Sequence, residues 1–215
     1  VQTRYFHTLE HVFAFINPDN PIQSLAALFH DIVYYQVDMG FAPAILETIS
    51  QYIQEIDGEL YLSSQIPPDE RGWELALQVF DFQVGQKLPP VGENEFLSAV
   101  VMNKQLDGLV SERDLFKLTL CIEATIPFRG KEIDNLGHFD VLEARSRWIC
   151  KQRGIALVEE EIEEAIKLAV KFANKDTESF AELDSARFIR NTWKLLPEMN
   201  LALRTREVYS VSEYR

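Results

Sequence analysis

The sequence predicts an all-α protein, a single-domain helical bundle over residues 1–215. Apolar residues recur at helical spacing in most segments, and no segment alternates apolar and polar residues for as long as a sheet strand requires. A chain of 215 residues is long enough for one domain with a sizeable core. Its apolar fraction of 47% and charged fraction of 26% are ordinary for a globular protein.

Charge and composition argue against several classes of partner. Acidic residues number 34 and basic residues 21, which gives a net charge of −13 at pH 7. This charge repels nucleic-acid backbones and acidic membranes at long range, and no apolar run reaches the about 18 residues that a membrane span requires. We therefore expect neither a nucleic-acid nor a membrane partner. Cys121 and Cys150 lie in unrelated helical patterns, so we expect no disulfide framework and a cytoplasmic protein.

The first predicted helix carries two histidines on one face. His7 and His11 are four residues apart, which places them one turn apart on the same side of a helix. Ala14 continues this face, and its small side chain leaves room for a neighbouring element. The main apolar stripe is expected to point elsewhere. It comprises Phe6, Leu9, Phe13 and Ile16.

The second predicted helix, residues 22–37, adds a third histidine and an aspartate. Its apolar stripe has the spacing of a core helix and comprises Leu25, Leu28, Phe29, Ile32 and Val33. His30 and Asp31 lie off this stripe, but alanines precede both by one turn, so the helix is apolar nearly all round and is predicted to be buried. A buried carboxylate requires a cation or several donors. Since imidazole and carboxylate are usual ligands of divalent ions, residues 3–37 are predicted to form the core of a metal site.

Seven further helices follow from the same periodicity and from turn residues. Ser111 and Asp114 form a predicted capping box. The predicted helices are 44–55, 70–82, 95–103, the helix between Ser111 and Pro127, the helix that opens at Asp140 and ends at Gly154, 159–175, and 179–196. Residues 44–103 show no ligand-like clustering. The chain also lacks the glycine-rich loops of Rossmann and P-loop proteins and the Gly-x-Ser-x-Gly elbow of serine hydrolases.

One acidic residue near the end of the 159–177 region prolongs an inward-facing stripe. The stripe comprises Ile162, Ala165, Ile166, Ala169 and Ala173, and Asp176 follows Ala173 by three residues. We therefore expect Asp176 to face the core, unless the helix frays before it. Glu123 and Asp140 are alternative inward acids, although Glu123 lies off its own stripe and a capping role would account for Asp140.

The two histidine-bearing segments resemble a known family. Tyr5-Phe6-His7-Thr8-Leu9-Glu10-His11-Val12, with Ala26-Ala27-Leu28-Phe29-His30-Asp31-Ile32-Val33-Tyr34, is similar to the HD superfamily of metal-dependent phosphohydrolases, and more distantly to cyclic-nucleotide phosphodiesterases. The resemblance covers residues 4–36. Phe6 and Thr8 depart from the family pattern, which commonly has Tyr and Asn at these positions.

The resemblance implies a ligand set and a chemistry. It implies that His11, His30 and Asp31 bind a divalent ion (Mn, Mg, Fe, Co, Ni or Zn), with a fourth ligand from a distant helix, for which Asp176 is the first choice. It also implies that His7 is similar to the histidine that protonates the leaving oxygen. The predicted activity is hydrolysis of a small phosphate ester, for example of a nucleotide, by a water activated at the metal.

Two residues have further predicted roles in this hydrolysis. Asp31, as a metal ligand, is placed to accept the proton of the attacking water. Arg4 is predicted to supply positive potential for the phosphorylated substrate, because the protein as a whole is strongly acidic.

Two other classes of function remain open at the level of the sequence. One is a non-catalytic HD-like module that keeps the metal, or only a buried polar network, and serves in binding or regulation. The other is a di-iron oxygenase, but this requires extra histidines between Asp31 and the last aspartate, and only His138 is available. The sequence does not indicate the substrate or the oligomeric state.

Overall fold

The computed structural model describes residues 4–65, 70–127 and 137–200. These residues form ten α-helices and one two-stranded sheet, so the predicted predominance of helix is confirmed. The helices are α1 Leu9–Phe13, α2 Pro21–Phe29, α3 Tyr35–Asp38, α4 Pro43–Ile49, α5 Arg71–Phe80, α6 Glu93–Leu106, α7 Glu112–Ala124, α8 His138–Arg153, α9 Glu159–Asp176 and α10 Ser185–Met199. The strands are β1 Ile53–Ile56 and β2 Glu59–Leu62, and a short 3-10 turn occupies Glu178–Phe180.

The helix α1 is shorter than predicted, and the side predicted to be buried is exposed to solvent. It begins after Thr8, whose hydroxyl accepts a hydrogen bond from the His11 backbone N–H at 3.5 Å. The predicted stripe is wrong, because Leu9 and Phe13 are 69% and 58% exposed. Phe15, just beyond the helix, is buried instead. His11 on α1 therefore points into the protein, whereas His7 precedes the helix, so the prediction that the two histidines share one helix face is wrong.

The second predicted helix is divided into α2 and α3. Asn20 caps α2 by accepting from the backbone N–H of Gln23, and the helix ends at Phe29 instead of continuing to residue 37. Ala26 and Ala27 are fully buried, whereas Leu28 is exposed. The side with the small residues is the one that packs, so backbones approach closely where His30 follows.

A β-hairpin replaces the second half of the helix predicted at 44–55. The strands β1 and β2 pair antiparallel with Ile53 opposite Leu62. Asp57 and Gly58 connect them with φ values of 53° and 79°, the left-handed conformations that a tight two-residue hairpin turn requires. The expectation that the chain contains no strand is therefore wrong at this position, because Asp-Gly favours a hairpin between two short segments.

One continuous hydrophobic core connects the helices, and α7 lies at its centre. This helix packs against α2, α5, α6 and α9. Its predicted cap is confirmed, since the Ser111 hydroxyl accepts from the Asp114 backbone N–H at 3.2 Å. The segment after α2 is fixed to α6 by a buried hydrogen bond in which the Val33 N–H donates to the Ser98 hydroxyl at 3.1 Å. This bond fixes the backbone two residues beyond Asp31.

The C-terminal end of α9 lies beside α1 and α2. The helix α9 runs to Asp176, so it does not fray before that residue, and Ile162, Ala165, Ile166 and Ala169 are buried as predicted. No helix in the described ranges is both long enough and apolar enough to cross a membrane.

Candidate metal centre

Four side chains from three places in the chain converge at the end of α9. His11 lies on α1, His30 and Asp31 directly follow α2, and Asp176 is the last residue of α9. Ligand atoms of His11, His30 and Asp176 all lie within 4.8 Å of one another. The structure thus brings together the residues that the resemblance implied as ligands.

Each of the two imidazoles lies close to both carboxylates, although Asp31 is outside the group whose ligand atoms all lie within 4.8 Å of one another. His11 Nε2 lies 3.1 Å from Asp176 Oδ1 and 3.7 Å from Asp31 Oδ2. His30 Nε2 lies 3.0 Å from Asp31 Oδ2 and 3.7 Å from Asp176 Oδ1. Ligands that each lie about 2.0–2.2 Å from a metal are roughly 3 to 3.5 Å apart at right or tetrahedral angles. These separations fit a shared cation.

The hydrogen bonds of His30 direct its free nitrogen to this point. His30 Nδ1 lies 2.8 Å from the Ala27 carbonyl oxygen, to which it donates. The proton is therefore on Nδ1, and the Nε2 lone pair faces the two carboxylates. His30 Nε2 and Asp31 Oδ2 are buried without a hydrogen-bond partner, since their 3.0 Å approach lacks hydrogen-bond geometry. A metal ion would satisfy both atoms, so the donor set fits the implied cofactor.

The pKa shifts of His30 and Asp31 also indicate that positive charge is favoured in the cluster. Burial alone would lower the pKa of His30, but the carboxylates of Asp31 and Asp176 raise it well above its usual range. Burial likewise works to raise the pKa of Asp31, yet His30 lowers it. Two carboxylates that are each only 18% exposed therefore favour a nearby cation, which is either a proton on an imidazole or a metal ion.

Aromatic rings cover the inner side of the cluster. Phe15 lies 5.1 Å from the His30 ring and Phe172 lies 5.6 Å from it, measured between ring centroids. Phe15 and Phe172 also contact each other and are 2% and 1% exposed. These rings exclude water from behind His30.

A buried glutamate that the sequence analysis missed holds His7. Glu198, near the end of α10, accepts hydrogen bonds from the backbone N–H groups of Tyr5, Phe6 and His7, and its Oε2 bonds His7 Nδ1. Although burial alone would lower the pKa of His7, the carboxylates of Asp31 and Glu198 raise it above its usual value. His7 is thus oriented by α10, and its ring packs against Tyr34 at a centroid distance of 4.8 Å.

Arg4 lies beside the cluster with its guanidinium engaged by protein groups. Arg4 Nε and Nη2 donate to the carboxylate of Asp38 at 3.0 and 2.6 Å. Arg4 Nη1 donates to the backbone carbonyl oxygen of Asp31 at 2.5 Å. These contacts hold the backbone of Asp31 in place, whereas the role of Arg4 in substrate binding stays a prediction.

The two alternative acids are engaged elsewhere. Glu123 is buried on α7, with its carboxylate 3.5 Å from Arg145 and 3.3 Å from His138. Asp140 is the third residue of α8 and accepts from the Gly137 backbone N–H at 2.9 Å. The capping role of Asp140 is therefore real, although the N-cap position belongs to Gly137 and not to Asp140 as predicted. Neither acid belongs to the His11, His30 and Asp176 group.

A cleft of about 520 Å³ opens from the cluster towards α10. His11 and Asp176 line one end of it. Four cationic residues also line it, namely Lys175, Arg187, Arg190 and Lys194, together with the acids Glu178 and Glu182. The sequence analysis missed this group, although Arg187, Arg190 and Lys194 have the i, i+3, i+7 spacing of one helix face.

Comparison of the chain with models of protein families, with curated proteins and with solved structures gives no match.

Proposed function

We propose that the protein is a metal-dependent phosphohydrolase with an HD-type arrangement of helices and ligands. The observation that supports this most strongly is the convergence of His11, His30, Asp31 and Asp176 at separations of 3.0 to 3.7 Å. Two imidazoles and two carboxylates suit a divalent ion such as Mn²⁺, Fe²⁺, Co²⁺, Ni²⁺ or Zn²⁺ better than Mg²⁺, and leave further coordination positions for water and substrate. The motif resemblance at residues 4–36 supports the same class.

The residues of the chain divide the chemical work. A divalent ion bound here supplies a Lewis acid and lowers the pKa of its water. Asp31 accepts the proton of the attacking water. Its carboxylate lies in the ligand cluster, and the hydrogen bond from Arg4 holds its backbone in place. His7 donates a proton to the departing oxygen, and its bond to Glu198 keeps the ring oriented. The aromatic wall of Phe15 and Phe172 excludes bulk water.

Elemental analysis provides the first test. Protein purified without chelator or histidine tag is expected to contain near-stoichiometric metal, and His30→Ala and Asp176→Ala are each expected to remove it. Asp81→Asn is a suitable control, because Asp81 is an exposed acid outside the cluster and asparagine tolerates its φ of 58°. Phosphate release from a panel of phosphate esters, with several divalent ions, then tests the activity.

The outcomes separate the competing functions. Metal loss in both ligand variants with metal-dependent phosphate release would support the hydrolase. Tightly bound metal without any phosphate release would favour a non-catalytic metal-binding module. Well-folded wild-type protein that takes up no metal would refute the proposal.

A further inference from the structure

We propose that the substrate carries a second phosphate group, besides the one that is cleaved, and that Arg190 and Lys194 bind it. This inference rests on the proposed function and names its substrate class. It rests on the position and spacing of these two cations in the cleft that adjoins the ligand cluster, and on the lack of any ion pair between them and the residues that the structure describes.

The ligand cluster would have no net positive charge with a divalent ion bound. Asp31 and Asp176 carry two negative charges, which a divalent ion would only neutralise. The metal site then supplies no net attraction for an anion at long range, and the whole protein has a net charge of −13. Attraction for a phosphorylated substrate therefore has to come from local cations.

Two of the four cations that line the cleft are paired with nearby acids, and two are available for a substrate. Lys175 forms an ion pair with Glu178, and Arg187 lies 3.6 Å from Glu182. By contrast, the side chains of Arg190 and Lys194 form no ion pair or hydrogen bond with any residue in the described part of the chain. The pKa of Glu10 is lowered mainly by a hydrogen bond with Thr8 and also by the positive charge of Lys194, which does not contact Glu10 directly.

Arg190 and Lys194 are placed so that both can contact one phosphate group. Arg190 and Lys194 are four residues apart on α10, so their side chains project from the same face into one cleft. Two neighbouring cations match the two negative charges of a phosphate group. The volume of about 520 Å³ is far larger than one phosphate needs and is ordinary for a small metabolite. One end of the substrate would then lie at the ligand cluster and the other at α10.

Equilibrium binding with non-hydrolysable probes tests this inference. The probes are propylphosphonate and propane-bisphosphonate, which carries a phosphonate at each end, and calorimetry on the metal-containing protein gives their Kd values. Wild-type protein is expected to bind the bisphosphonate about tenfold more tightly. Arg190→Gln with Lys194→Gln should reduce this preference to about twofold. Both side chains are exposed and glutamine favours helix, so this variant is expected to fold.

A matched control removes the same charge elsewhere. Lys167→Gln with Lys171→Gln deletes two exposed cations, also four residues apart, from α9 outside the cleft lining. This variant loses the exposed ion pair of Lys167 with Glu163 but leaves the cleft lining unchanged, so it should keep the tenfold preference.

The failure of this inference can be told apart from the failure of the proposed function. Metal-dependent binding of propylphosphonate without a preference for the bisphosphonate would overturn the second phosphate site only. A preference that survives in the Arg190 and Lys194 variant would also overturn it. If wild-type protein takes up no metal and binds neither probe, both proposals fail.

Discussion

Asp176→Asn is expected to abolish the thermal stabilisation that a divalent ion gives to the wild-type protein. The substitution keeps the size of the side chain and an oxygen that can accept from His11, at present 3.1 Å away. It removes one of the two carboxylate charges of the cluster. The change therefore tests the charge that binds metal, with little change in packing.

The magnitude follows from linkage between binding and folding. At a free ion concentration of about 100 times Kd, a ligand that binds only the folded state stabilises it by about 2.7 kcal/mol. For a chain of this length, each kcal/mol raises Tm by about 2–4 °C, so the wild type should gain about 5–11 °C. If loss of one charged ligand weakens binding about 100-fold, the same ion concentration gives only about 0.4 kcal/mol, or roughly 1–2 °C.

The assay is a set of melting curves followed by circular dichroism. Chelator-treated protein is titrated with Mn²⁺, and wild type is compared with Asp176→Asn and with the control Asp81→Asn. Asp81 is 78% exposed and its φ of 58° is tolerated by asparagine, so this control removes a carboxylate without strain. A wild-type protein that shows no rise in Tm, or an Asp176→Asn variant that rises as much as wild type, would refute the reasoning.

Three further predictions concern the surroundings of the site. Glu198→Gln should lower the free energy of unfolding in urea by about 2 kcal/mol, because a buried carboxylate that accepts three backbone N–H groups is lost; a change below about 0.5 kcal/mol would contradict this. Ser98→Ala should cost about 1–3 kcal/mol in the same assay, since it leaves the Val33 N–H without an acceptor, and a neutral result would show that the bond is dispensable. Burial and the charge of Glu59 raise the pKa of Glu93 from 4.5 to about 7, so the folded state binds this proton more tightly than the unfolded chain. Stability should therefore fall by about 1–2 kcal/mol, allowing for solvent screening, as pH rises from about 4.5 to 7, and Glu93→Gln should flatten this slope; equal slopes in urea titrations would count against it.

The long helices were predictable because their periodicity is regular. The helix α9 was expected at 159–175 and is observed at Glu159–Asp176, and its stripe of small residues correctly indicated that Asp176 faces inward. The cap of α7 at Ser111 was also evident, since capping depends on residues that are adjacent in sequence.

The short elements failed for a physical reason. The helix α1 has only five residues, so its orientation is set by tertiary contacts and not by its own pattern. Turning the histidines inward leaves Leu9 and Phe13 exposed, against the rule that apolar residues define the buried face. The hairpin at residues 53–62 was missed because each strand has only four residues, too few for alternation to be recognised.

The residues proposed as ligands could be picked out from the sequence, whereas the contacts that support them could not. His7, His11, His30 and Asp31 share a local spacing that the sequence displays directly. Contacts between distant segments, such as that of Glu198 with the loop before α1, leave no local signal. The cationic face of α10 did have a signal in its spacing, but only the fold shows that it borders the ligand cluster.

The separation of the ligands along the chain has a consequence for biosynthesis. His11 and Asp176 are 165 residues apart, a length that a ribosome takes roughly 10 to 30 s to synthesise. During that interval the nascent chain offers His11, His30 and Asp31 without their last carboxylate partner. The four proposed ligands are therefore together only after α9 has emerged from the ribosome, so an ion that needs all four of them cannot bind before that point.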